Sequence, residues 1–152
     1  GYVEPANTNV TILVSGTTTI NGNITIAKNS GSAFTLISQG NIIIPPTVGE
    51  SVVTSLTSDL DGFYSTDNSF VVQSASGGKC DMSGNSNDLK LNIGGAIVVN
   101  AGETGGSFQN ARDLCVNDTS CPVTTISQRI DLMLNAPAIL KHRNNFFQEV
   151  AP

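Results

Sequence analysis

The sequence predicts an all-β chain, a short parallel β-solenoid (β-helix) closed by a C-terminal helical or extended cap. Three observations carry this expectation. Apolar residues alternate with Thr, Ser and Asn with period two, as on a strand with one buried face. The stretches "INGNITI" (20–26), "SQGNIII" (38–44) and "IGGAIVV" (93–99) each pass through a glycine without losing that phase. The charged fraction is 12%, about half the usual quarter, which leaves Thr, Ser and Asn to cover the surface, as suits sheet faces and turns.

From 10 to 26 the even positions hold Val10, Ile12, Val14, Gly16, Thr18, Ile20, Gly22, Ile24 and Ile26. From 34 to 44 they hold Phe34, Leu36, Ser38, Gly40, Ile42 and Ile44, and Pro45-Pro46 ends the unit because proline cannot donate within a ladder. "SLTSDLDGFYS" (55–65) is a weaker copy, with Leu56, Leu60, Gly62 and Tyr64 in phase. From 89 to 101 the odd positions Leu89, Leu91, Ile93, Gly95, Ile97, Val99 and Ala101 repeat the pattern. A hairpin would consume residues in reversing direction; a bend that keeps its phase is expected of two strands meeting at a corner. Gly22, Gly40, Gly62 and Gly95 are therefore expected at corners with their missing Cβ directed inward, and Asn21, Asn23 and Asn41 beside them in turn conformations. The glycine spacings of 18 and 22 residues suit one coil, and the longer step to Gly95 suits an inserted loop at about 74–88, where "SASGGKCDMSGNSND" is aperiodic. The competing architecture is a β-sandwich of ordinary alternating strands.

Residues 1–123 form the body of one domain and 124–152 its cap. Ile126, Ile130, Met133 and Leu134 fall at helical spacing, with Thr125 or Ser127 as N-cap and Pro137 as a stop, so 124–140 is expected as a short helix over the final coil. "FFQEV" (146–150) is expected as a last extended segment.

"LNIGGAIVVNAG", "RIDLMLNAP" and the terminal "QEVAP" resemble the end of predicted surface proteins from uncultured bacterial lineages, some with pilin-like leaders; the resemblance covers roughly the last 65 residues. The glycine-punctuated body resembles right-handed β-helix proteins, bactofilin-like polymers and pectin-lyase-like enzymes among them. The resemblance implies a cell-surface or extracellular location and transfers no functional residue. The opening "GYVEPANTN" is compatible with a processed or truncated start.

A net charge of −5 and a pI near 4.5 disfavour nucleic acid and anionic membrane as partners, and no segment reaches the roughly 20 apolar residues of a membrane-spanning helix. Within "CVNDTSC" a Cys115–Cys121 disulfide is expected; a bridge from Cys80 to either cysteine, or reduced thiols, are the alternatives. A disulfide would place the protein in an oxidising compartment. Asn9, Asn23 and Asn117 each head an Asn-X-Thr triplet, the acceptor pattern for N-glycosylation.

Enzymes on a β-helix need carboxylates gathered on one face. Asp59, Asp61 and Asp67 are the best such group and the candidate calcium ligands, although outward Asp beside Gly is ordinary turn composition and EF-hand spacing is absent. His142 has no serine or cysteine at motif spacing, and "GETGGS" (102–107) lacks the lysine of a phosphate loop. No cofactor and no catalytic constellation are expected. The function expected is a secreted or surface-exposed structural or adhesive module, such as a subunit of an extracellular filament or pilus. The alternative is a carbohydrate-binding or polysaccharide-cleaving β-helix domain. Val10, Ile12 and Val14, in a β-prone segment with almost no charge to repel a partner, are the expected self-association site, toward another copy or another surface protein.

Overall fold

The computed structural model describes residues 1–102 and 105–137. Among the described residues the chain is all-β apart from one short helix and one 3₁₀ turn. Its strands are β1 (Tyr2–Glu4), β2 (Asn9–Val14), β3 (Thr18–Thr19), β4 (Ile24–Ile26), β5 (Ala33–Ser38), β6 (Ile42–Ile44), β7 (Leu60–Thr66), β8 (Phe70–Val72), β9 (Leu91–Val98), β10 (Phe108–Asn110) and β11 (Thr124–Ser127), followed by α1 (Ile130–Asn135). None of the helices of the described residues is long and apolar enough to cross a membrane.

The strands form two sheets, and every ladder between them is parallel. The smaller sheet runs β10-β8-β6-β3. In the larger, β7 receives β4 on its first residue and β5 on its last four along one side, while β9 pairs with β7 over six positions and β11 pairs with β9. Parallel partners in register stack like on like, and three such rows run through the molecule. One is Tyr2, Ile24, Leu60, Ile93, Ile126. The second is Ile12, Leu36, Tyr64, Ile97. The third is Thr18, Ile42, Phe70, Phe108. Their middle members are buried and fill the core together with Ile26, Ile44, Val48, Val72 and Leu91. An aromatic series from Tyr2 through Phe34, Tyr64 and Phe70 to Phe108, with centroids 5.7–6.2 Å apart, links the rows. The period-two inference therefore holds: the exception, Leu13, lies on the outward face and is 68% exposed.

The glycine inference needs correction in two respects. In-register positions of the second row are separated by 24, 28 and 33 residues; the last is the Gly62–Gly95 spacing, whereas the first two differ from 18 and 22 because Gly22 and Gly40 sit at other bends. Gly22 precedes β4, Gly40 precedes β6, and Gly62 and Gly95 lie inside β7 and β9 as register partners. Nor do the missing Cβ atoms of Gly22, Gly40 and Gly95 face the core, although that of Gly62 faces the buried Phe34. A Cβ on Gly40 would stand 2.6 Å from the Thr17 nitrogen, one on Gly62 2.8 Å from the Phe34 carbonyl, and one on Gly22 3.2 Å from Gly1, while one on Gly95 would overlap the Gly62 carbonyl. With φ of 140° and 144°, Gly62 and Gly95 turn what would be the side-chain direction toward the neighbouring strand. The nearest clash to be avoided is with main chain, joined at Gly62 by the Phe34 ring at 3.0 Å and at Gly40 by the Thr17 hydroxyl at 2.8 Å. Leu56 is 86% exposed and belongs to the loop before β7 rather than to the inward set. The corner asparagines bond across to other turns instead of to themselves: Asn41 Oδ1 accepts from the Ser69 N–H at 3.0 Å, and Asn23 Nδ2 donates to Asp59 at 3.4 Å.

The C-terminal segment also differs. Residues 124–127 form β11 and continue the larger sheet, so the expected helix shortens to Ile130–Asn135. Its N-cap is Arg129, which makes no side-chain capping bond, rather than Thr125 or Ser127. The stripe Ile126, Ile130, Met133 and Leu134 is exposed, and Leu132 is the buried residue. Six residues cannot lay a two-turn stripe on anything; one leucine anchors the helix. The flank of the helix is tied to the chain near β4, with the Asn29 N–H donating to Asp131 and Arg129 to the Ile26 carbonyl. "FFQEV" and His142 lie outside the described residues.

Candidate functional site

Asp59 and Asp61, expected on a solvated turn, are buried at 0% and 2% exposure. Both are held by main chain that the splayed sheet would leave unpaired. β4 meets β7 at Ile24 alone, and beyond it Asp61 Oδ2 accepts the Ile26 N–H at 2.9 Å. Asp59 Oδ2 accepts the Asn92 N–H at 2.8 Å. Burial pushes the Asp59 carboxyl up, with the Asn92 bond opposing. Arg129 covers Asp61: its Nη1 lies 2.8 Å from Asp61 and donates to the Ile26 carbonyl at 2.8 Å. The same guanidinium, through Nε at 3.1 Å, holds Asp131 down at about 2. Asp61 Oδ1 has no hydrogen-bond partner and lies where a Cβ on Gly94 would fall. Beside this group is a cavity of about 640 Å³ bordered by Ser58, Asp61, Asn92 and Arg129.

This arrangement is cross-bracing rather than a cation or acid–base site. The carboxylate oxygens that make contacts face N–H groups and a guanidinium, and Asp67 stands at the other end of β7, away from Asp59 and Asp61. The acidic trio weighed as a candidate calcium or catalytic group is therefore not assembled. Among the described residues the group close enough to share a metal ion is Cys80, Asp113 and Cys115, and its two sulfurs are bonded to each other.

That bond corrects the expected pairing. The disulfide joins Cys80 to Cys115, with Cα atoms 5.8 Å apart, and Cys121 is the free thiol. Residues 115–119 wind into a 3₁₀ turn whose carbonyls at Leu114 and Asn117 already receive the N–H groups of Asn117, Ser120 and Cys121. The small loop is thus closed by its backbone, and Cys115 turns instead to the long loop at 74–88, which it pins to the body.

Sequence reasoning missed the buried cations. Arg112, 5% exposed, donates to four carbonyls, those of Pro45, Val48, Gln73 and Leu89, at 2.7–3.0 Å. Lys90 is 2% exposed and donates to the Val53 carbonyl at 3.0 Å, beside an antiparallel bridge between Glu50 and Lys90. The available signal was scarcity. In a chain with 7 Lys and Arg, a cation inside long aperiodic segments answers their carbonyls, which lack a ladder.

The remaining feature is the N-terminal end. β1, β2 and β3 are edge strands, each paired on one side only among the described residues. Between them opens an apolar mouth of about 580 Å³, bordered by Tyr2, Val10, Ile12, Ile20, Phe34 and Leu36. The expected contact residues Val10, Ile12 and Val14 lie on β2, with Ile12 42% exposed although its row partner Leu36 is buried. Comparison with known protein families, characterised proteins and solved structures finds no match for this chain.

Proposed function

We propose that this chain is a secreted or surface-exposed structural module, a short β-solenoid that scaffolds or attaches through its N-terminal end, around Val10–Val14. The observation that carries the reading is the apolar mouth ringed by unpaired strand edges. Main-chain donors and acceptors on an open edge are a template for another strand, and apolar surface beside them rewards its arrival. The parallel rows, in which each strand pair is followed by a pair stacked on it, support the solenoid description. The Cys80–Cys115 disulfide suits an oxidising compartment. Asp59, Asp61, Lys90 and Arg112, all buried, bond main-chain groups, as befits a scaffold. The test is made in the native cell. Labelling of intact cells should reach the protein, and alkylation without reductant should modify Cys121 alone. Protein shielded inside the cell, with three alkylated cysteines, would overturn the reading.

A further inference from the structure

Two polar rows follow each other on the larger sheet, and one of them is left open. In the first, Asp59 accepts the Asn92 N–H at 2.8 Å and Asn92 Oδ1 accepts the Thr125 hydroxyl at 2.6 Å. Asn92 Nδ2 donates onward to the Ser55 carbonyl at 3.2 Å. Two residues on, Asp61, Gly94 and Ser127 are register partners. Here Asp61 Oδ2 takes the Ile26 N–H and Arg129. Its Oδ1 has no partner among the described residues, although the side chain is only 3% exposed, and Gly94 brings no side chain to bond it. This second row borders the cavity of about 640 Å³, within the range of small-molecule sites, about 300–1,000 Å³. We infer that the cavity binds a small neutral polyhydroxyl molecule, a sugar unit, one of whose hydroxyls donates to Asp61 Oδ1.

The group that Oδ1 calls for is a hydrogen-bond donor, because an ionised carboxylate only accepts, and a buried acceptor without one is costly. That donor needs no charge. Asp61 and Asp131 are matched by Arg129 and Lys28, the four charged residues bordering this cavity and the smaller one of about 330 Å³ that shares Lys28 and Arg129 with it. A charged ligand would unbalance them. Thr25, Thr57, Ser58, Ser127 and Gln128 also border the cavity, and each both donates and accepts, as sugar hydroxyls do. The exposed Leu56 beside them offers apolar surface to ring C–H groups. The way to Oδ1 passes over Gly94. A Cβ there would overlap Oδ1 and stand 2.8 Å from Ser58 Oγ and 3.0 Å from Arg129 Cδ, so these atoms converge on the space that the glycine leaves. Ser58 Oγ is held by a long bond, 3.4 Å, to the Asn92 carbonyl, and turning it aside admits the ligand hydroxyl.

This inference does not depend on the N-terminal contact proposed above. Its test is an NMR titration of the complete, isotope-labelled chain with glucose, galactose, mannose and N-acetylglucosamine, and with glucosamine and glucuronate as charged sugars. At least one neutral sugar should shift the amide signals of Ser58, Gly94 and Gln128 saturably, and bind about tenfold or more tightly than either charged sugar. Ser58→Ala should weaken that binding about two- to tenfold, the worth of one hydrogen bond. Gly94→Ala should abolish it by filling the space over Oδ1. Its melting temperature reports whether it folds, and Ser58→Ala carries the test if it does not. No saturable shift with any of the four neutral sugars at about 100 mM overturns the inference. So does a charged sugar that binds more tightly than every neutral one, or binding that both variants leave unchanged.

Discussion

Arg112 shows how much one side chain does in a fold with few charges. The segments 45–59 and 73–90 carry carbonyls that no ladder answers, and one guanidinium answers four of them. Arg112→Met should lower stability by about 3 kcal/mol or more, because it strands buried acceptors. Arg112→Lys should recover little, since an ammonium cannot span four carbonyls in a planar fork; denaturant titration measures both. Gly95 is a matter of backbone. Gly95→Val places a side chain on the Gly62 carbonyl at a φ of 144°, and a loss of about 2–4 kcal/mol is expected in the same titration. Asp131 sets an acid response. Its folded pKa lies at about 2, below the ordinary 3.8, through its bonds to Arg129. The folded state thus binds fewer protons than the unfolded chain, and this contribution is present above pH 4 and fades as pH falls toward 2. Asp59, raised by burial, acts in the opposite sense. Melting temperature followed from pH 5 to 2 should fall less steeply in Asp131→Asn than in wild type.

Among elements, the long loop and the 3₁₀ turn depend on each other. The disulfide spans 35 residues of sequence, and closing a loop of that size stabilises by about 3–4 kcal/mol on chain-entropy grounds. Cys80→Ser should therefore lower stability by roughly that amount, while Cys121→Ser leaves it nearly unchanged. Intact mass after alkylation should show one modified cysteine, located by peptide mapping at Cys121. Asp88 adds a second tie, accepting from Ser74 Oγ, the Ala75 N–H and the Asp113 N–H. The helix α1 is held by Leu132 inside and by Arg129 and Asp131 at its start. Leu132→Ala should cost about 2–4 kcal/mol as a core truncation, whereas Ile130→Ala, at a position 70% exposed, should cost little.

For the whole molecule, the governing fact is that parallel stacking has a beginning and an end. Each buried row member is covered on both sides by its neighbours; each terminal member has one row neighbour among the described residues. The protein leaves Tyr2, Ile12, Phe108 and Ile126 partly in water, and apolar surface in that arrangement favours another layer. Contact through the N-terminal end and display at the cell surface are separate claims, the first tested by mass in solution and the second by labelling intact cells.

The sequence by itself determined the local half of this protein. Period-two alternation assigned inward and outward faces through Phe34–Ile44 and Leu91–Val99, Pro45-Pro46 ended β6, the aperiodic run at 74–88 was a loop, and the all-β class followed. These are properties of neighbouring residues, and side-chain parity needs no knowledge of what lies above or below. What pairs with what was decided in three dimensions. Cys80 and Cys115 meet because the long loop folds back onto the body, and the glycines relieve contacts with main chain from another strand. Asp59 and Asp61 are buried because Asn92 and Ile26 present N–H groups there and Arg129 arrives from the end of the described chain. The rows likewise follow from register, which aligns Ile126 with Ile93 and Tyr2 with Ile24. Register depends on the lengths of all the intervening loops at once, and no local pattern encodes it.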